Sequence, residues 1–389
     1  MHVAMAYPNV YIQEPGILDQ AAEWIRKYGS RPFIIAGKTA WSKAGPQLEL
    51  SLRRAGITYT LQYFSGECTY EEAGRLQALA GDSHDLVIGV GGGKCLDTAK
   101  LTASRLGLNV ATVSTLASTC AATTPLSVMY DENHRFVTNE YFDRCPILTL
   151  VEPKIIAEGP VRYLIAGIGD TLAKWYEAHP LNEGKFKNAK TLLGLQTAQL
   201  ARDLLLKYAE QAIRECRNRE VGDAIRQVID ANILLAGLVG GIGENTCRWS
   251  GAHSFYNGMT SIRGIHRSYH GEIVAYGILC QLMLEGKPAE EIAELMKFFR
   301  KIELPISLTD LRIDAIDEEE IRHSARLVCD PQNHIHLLPV TVNMETVYKA
   351  IMETHKLGEK VKSQAACQAE PQHHVAEFAA IMVLAGAFQ

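Results

Sequence analysis

The sequence predicts two parts: an α/β domain on a parallel sheet with helices on both faces, then an all-α domain. Three observations predict this. Short apolar runs closed by glycine alternate with helical patterns as far as Val151. After Pro153 the β-branched clusters give way to long segments of helical periodicity. A length of 389 residues exceeds one ordinary core and suits two domains.

In chain order, 21–28 reads as a helix and Phe33-Ile34-Ile35-Ala36 as a buried strand ended by Gly37. A helix over 70–79 leads to a strand over 86–90, which runs into Gly91, Gly92 and Gly93. Two more strands are expected over 110–113 and 147–151. Apolar strands with helices between them imply βαβ units, hence a parallel sheet covered on both sides. Helices are then expected over 169–179, 189–215, 221–237, 271–284 and 289–299, the last starting after Pro288. The boundary is placed near Pro160. This gives a dinucleotide-binding domain over 1–159, a helical metal-binding and catalytic domain over 160–362, and an extension of unknown role over 363–389. Two domains without a linker share a cleft, a common place for a ligand.

Composition narrows the partners. A net charge of −5 offers no basic field for nucleic acid or an anionic membrane, so a small molecule is expected. The nine cysteines are odd in number and form no C-x-x-C pair, which argues against a disulfide framework or a zinc ribbon and for reduced thiols in cytoplasm. No basic segment followed by an apolar run opens the chain, so no signal peptide is expected. The apolar stretch 378–388 is too short to span a bilayer.

Two constellations carry chemistry. Val87 to Lys100 reads as strand, glycine turn and helix start, which lets backbone N–H groups approach a pyrophosphate. It is neither G-x-G-x-x-G nor a Walker loop. Asp97 and Lys100, in the first helical turns, could hold the loop or reach the cofactor. The second constellation is Asp170, His253 and His270. Asp170 stands in Gly167-Ile168-Gly169-Asp170, read as a helix opening. One carboxylate and two imidazoles with an open position suit a divalent cation that polarises an alcohol or carbonyl oxygen. Spacing alone leaves His266 with His270 as a rival i, i+4 pair. The donor set suits zinc, iron(II), nickel or manganese nearly equally.

Together these stretches resemble the glycerol dehydrogenase group of the iron-containing alcohol dehydrogenase superfamily. The likeness rests on Gly89-Val90-Gly91-Gly92-Gly93-Lys94 with Asp97 and Lys100, and on Ser114 to Thr119, Leu126 to Tyr130 and Gly167 to Asp170. It continues through Ala252-His253 with Asn257-Gly258 and Tyr269-His270-Gly271-Glu272, all in the family's order. The resemblance implies a dehydroquinate synthase-like fold, oligomer formation, and hydride transfer with NAD or NADP. By it, Gly91, Gly92, Gly93, Lys94 and Cys95 cradle the pyrophosphate, and Thr115, Ser118, Thr124, Leu126 and Tyr130 line the cofactor. Asp170, His253 and His270 become the metal ligands.

Three departures from the family pattern point to the substrate. Glycerol dehydrogenases carry an acid where this chain has Cys120, and its loss removes a barrier to an anionic substrate. The iron-type members place a histidine where Lys174 stands; its absence makes the site a three-ligand one that resembles the zinc-type members, so zinc is favoured, and offers Lys174 as a carboxylate anchor. A surface pair of Lys174 with Glu177 is the plainer alternative. NAD-preferring relatives often carry an acid where Gly37 stands. With Gly37 and Lys38 the chain should tolerate or prefer NADP. Arg248 is a further anion partner, provided that the backbone turns before His253.

The segments 119–122 and 170–178 look similar to a hydroxycarboxylate dehydrogenase branch. The expected reaction is reversible reduction of a 2-oxo acid, with glycerol or another diol as the alternative substrate. A dehydroquinate synthase-like lyase and a cofactor-binding protein without catalysis complete the alternatives.

Overall fold

The computed structural model describes residues 7–185, 187–243 and 245–369. Six strands form one parallel sheet: β1 (Val10–Gln13), β2 (Pro32–Ala36), β3 (Thr60–Tyr63), β4 (Leu86–Gly91), β5 (Asn109–Ser114) and, later in the chain, Leu148–Val151. Between the last two, β6 (Leu126–Tyr130) and β7 (Phe136–Tyr141) make an antiparallel hairpin, so Leu148–Val151 is β8. The sheet order is β1-β8-β5-β4-β2-β3.

Alternate side chains of the central strands enter opposite cores. Ile34, Ile88, Val113 and Leu150 pack on one face, and Phe33, Ile35 and Val87 on the other. The covering helices are α1 (Ala21–Ile25), α2 (Lys38–Arg54), α3 (Tyr70–Ala80) and α4 (Gly93–Leu106). The four predicted strands are all present. The two edge strands, β1 and β3, were missed, because half-buried residues such as Gln13, Thr60 and Gln62 break up the apolar run.

No strand follows Val151 among the described residues. After α5 (Pro153–Ala157) come α6 (Val161–Asn182), α7 (Ala189–Asn218) and α8 (Asp223–Asp230). A π turn over Ala231–Leu235 joins α8 to α9 (Ala236–Ile242), and α10 (Asn245–Arg248) precedes α11 (Gly251–Met259). The rest are α12 (His270–Leu284), α13 (Ala289–Lys301), α14 (Glu318–Val328) and α15 (Met344–Ala369). Asp223–Ile242 has the length and composition of a membrane span, yet most of it is buried in the helical core. Helix α15 passes residue 362 without a break. The apolar segment 375–388, His373 and His374 lie outside the described residues.

The loop between β5 and β6 joins the two parts. Thr112 and Thr149 of the sheet donate their hydroxyls to Ala122 O (2.8 and 2.9 Å). From the helical side, Asn232 Nδ2 donates to Ala117 O (3.0 Å), and the Thr123 hydroxyl donates to Ile233 O (2.6 Å). The π turn at Ala231–Leu235 thus supplies both of the loop's helical partners.

Candidate active site

A cleft of about 1040 Å³ runs from the C-terminal ends of β2, β4 and β5 into the helical part. This is where a doubly wound sheet receives ligands. Gly92 precedes α4, and a Cβ there would lie 2.8 Å from Leu116 Cδ1, so the turn admits only glycine without a shift. Gly91, Gly92 and Gly93 line the cleft, with the N-terminus of α4 beside them.

The structure distributes the predicted cofactor residues unevenly. Gly37, Lys94, Cys95, Ser118, Thr124, Leu126 and Tyr130 border the cleft. Lys38 is exposed at the start of α2 and Thr115 is buried behind the turn, its N–H donating to Gly91 O (3.1 Å); neither lines the cleft. Cys95 turns its sulfur inward to Val90 O (3.5 Å) and Ile35 O (3.6 Å), so only its backbone can meet a phosphate. Lys94 Nζ pairs with Glu67 Oε2 (2.6 Å), which also binds His134 Nδ1.

Asp97 also borders the cleft, and of its two expected roles the structure shows a holding one. Its carboxylate is buried against Lys100 Nζ (2.8 Å) and accepts Val128 N–H (3.1 Å). Lys100 also donates to Thr124 O (3.2 Å) and Leu126 O. The pair therefore fastens the hairpin to α4, since two charges taken out of water together satisfy each other.

Asp170 does not open a helix as predicted; it lies in the third turn of α6, fully inside the protein. Helices α6, α11 and α12 bring Asp170 Oδ1 to 3.2 Å from His253 Nε2 and 3.5 Å from His270 Nε2. Three donors bound tetrahedrally at zinc distances would sit about 3.4 Å apart, so the set fits one divalent cation. Burial favours a neutral Asp170, but Lys174 and the two histidines hold its carboxyl well below the usual range. The rival pair fails: His266 is exposed on the turn Ile265–Arg267, before α12 begins at His270.

Complete burial of Glu177 removes the alternative of a surface pair with Lys174. Glu177 accepts the N–H groups of Ser250 (2.8 Å) and His253 (2.9 Å) through Oε1, and His253 Nδ1–H through Oε2 (2.7 Å). That contact fixes the tautomer and leaves Nε2 bare toward Asp170. The signal was in the sequence: Asp170, Lys174 and Glu177 follow i, i+4, i+7 on one helical face. His270 has no such support. Its Nδ1 is buried without a hydrogen bond, and the ring rests edge-on against Tyr256 (4.2 Å between centroids).

Lys174 is buried with Nζ 3.9 Å from Asp170 Oδ1, and borders the cleft with Cys120 and Arg248. The backbone does turn after Arg248, between α10 and α11, so Arg248 and His253 reach the same cleft. Arg248 has no carboxylate partner among the described residues; its Nε donates to Gly240 O (3.1 Å) and its guanidinium covers Tyr141. Trp249, stacked on His334 at 4.0 Å, also lines the cleft; sequence reasoning did not single it out.

Comparison with known proteins agrees with this geometry. Residues 8–153 match the family described as iron-containing alcohol dehydrogenase. The chain is 39% identical over 345 residues to hydroxycarboxylate dehydrogenase A of Escherichia coli, covering 88% of this chain and 94% of that protein. It is 33% identical over 362 residues to the glycerol dehydrogenase of Thermotoga maritima, covering 92% and 98%. The crystal structure of glycerol dehydrogenase from Schizosaccharomyces pombe superposes with a TM-score of 0.87 over 93% of each chain, at 31% identity. The chain belongs to the iron-containing alcohol dehydrogenase superfamily, among its glycerol and hydroxycarboxylate dehydrogenases, and is an NAD(P)-linked oxidoreductase acting on CH–OH donors.

Proposed function

We propose that the enzyme reduces small 2-oxo acids to 2-hydroxycarboxylates with NADPH or NADH at a zinc-dependent centre. The observation that carries this reading is the charge around the cation site. Cys120 stands where the glycerol dehydrogenase pattern has an acid, and the neighbouring groups, Lys174 and Arg248, are both cationic. A substrate carboxylate directed at Lys174 would leave its 2-oxo group beside Asp170, His253 and His270. When bound, the cofactor supplies hydride and the divalent cation supplies Lewis acidity at the carbonyl oxygen. The residues do the rest. Gly91 to Gly93 and the start of α4 receive the pyrophosphate, Glu177 holds His253, and Lys174 fixes the anion.

Glycerol or another vicinal diol is the second reading, favoured by the glycerol dehydrogenases among the relatives. The test is oxidation of NADPH and NADH with 2-oxobutyrate, dihydroxyacetone and simple aldehydes, with and without a chelator. Turnover of 2-oxobutyrate that the chelator abolishes and zinc restores supports the proposal. Activity confined to dihydroxyacetone overturns it. In the same assay, Cys120→Asp is expected to lower kcat/KM for 2-oxobutyrate at least about tenfold, because a carboxylate would face the substrate's own.

Gly37 supports use of NADP. Its φ of −68° is ordinary, and a Cβ there would have 3.7 Å to Ala40 Cβ, so a side chain fits. Gly37→Asp is expected to reduce kcat/KM for NADPH about tenfold or more while sparing NADH. An unchanged ratio between the two cofactors would place the 2′-phosphate elsewhere.

A further inference from the structure

We propose that a second hollow, beside the metal site but outside the cleft, binds a small doubly charged oxyanion whose presence is felt at His270. The hollow holds about 560 Å³. It takes Val161, Arg162 and Ile165 from α6, whereas the cleft takes Tyr163, Ala166 and Asp170 from the same helix. Leu304, Pro305 and Ile306, all buried, contribute an apolar wall.

The charges do not balance. Glu272 is taken by Arg162 in a two-pronged pair (2.5 and 2.6 Å), and Asp310 by Lys362 (2.5 Å). Glu303 is bound from outside the hollow by Arg217. Arg300, in the last turn of α13, and Arg312 therefore line the hollow with no side-chain partner among the described residues. Two open guanidinium groups facing one concavity suit an oxyanion, which each can bind with two N–H groups.

The hollow reaches the metal site through one pair. Arg162 holds Glu272, and Glu272 Oε2 accepts the N–H of Tyr269 (2.7 Å), capping the helix whose first residue is His270. Arg162 also lies over the Tyr269 ring (4.1 Å to its centroid). An anion in the hollow competes with Glu272 for Arg162. Whatever shifts Glu272 shifts the cap, and with it the His270 ring that no hydrogen bond holds at Nδ1.

The probes are sulfate and inorganic phosphate at constant ionic strength, with metal-loaded full chain, cofactor saturating in the thermal arm and varied in the kinetic arm. The expected result is a saturable rise in unfolding temperature and about a fivefold change in kcat, with KM for the cofactor unchanged. Both effects should vanish in Arg300→Gln with Arg312→Gln, two exposed positions whose change leaves the basal rate intact. No response, a response that survives in that variant, or inhibition competitive with cofactor overturns the site. A thermal shift that the variant loses, with kcat never changing, keeps the site and overturns its link to His270. The thermal arm needs no substrate, so it stands apart from the 2-oxo acid reading.

Discussion

Glu177→Gln is expected to weaken metal binding by about 10–100-fold while leaving the fold in place. The amide oxygen can keep both backbone N–H groups of Ser250 and His253, so burial stays satisfied. The amide nitrogen, however, then faces His253 Nδ1, where a carboxylate oxygen had accepted a proton. Nδ1 must become the acceptor, and the ring proton moves to Nε2, the atom that faces Asp170. An imidazole protonated there cannot donate a lone pair to a cation. Chelator competition measures the affinity and circular dichroism the fold; activity should fall with metal occupancy and return in part at high zinc. Wild-type affinity in the variant would show that Glu177 does not set the tautomer.

Gly271→Ala is the second large effect, on stability. A Cβ at Gly271 would fall on the carbonyl of Ala166, where α6 and α12 touch backbone to backbone. Alanine gains about 1 kcal/mol over glycine in helix propensity. Forcing two main chains apart in a packed core costs about 3 kcal/mol or more, so the clash wins. Urea denaturation should show the loss, and parting the helices should also separate Asp170 from His270. An unchanged denaturation midpoint would mean that α6 and α12 have slack at this crossing.

These effects locate what sequence alone conveys. The central strands were legible because both faces of the sheet are buried, Ile34, Ile88 and Val113 on one and Phe33, Ile35 and Val87 on the other, which leaves continuous apolar runs. Edge strands carry no such signature, and of the hairpin Leu126–Tyr141 only Leu126 to Tyr130 was noted, as part of a family pattern and not as a strand. Asp170, His253 and His270 were joined through the family pattern, while spacing alone left His266 as a rival, since their meeting depends on the packing of α6, α11 and α12. Lys174 and Glu177 show the limit most plainly. One turn apart, they satisfy the rule for a surface ion pair, and only burial assigns Glu177 to a histidine 76 positions away. Asp97 and Lys100 follow the same rule and do pair, but under the hairpin instead of against a ligand.

The loop from Thr115 to Thr124 has a consequence for motion. Because Ala122 is tied to the sheet while Ala117 and Thr123 are tied to the π turn, the two halves are riveted at the floor of the cleft. A jaw that opens throughout its depth would have to break at least two of these hydrogen bonds together, the pair on the sheet side or the pair on the helical side. Breathing is therefore confined to the mouth, where the hairpin tip around His134 faces the turn around Arg263. The rivets hold the floor of the cleft, so the groups placed there are expected to start catalysis from geometry already set, with product release depending on the mouth.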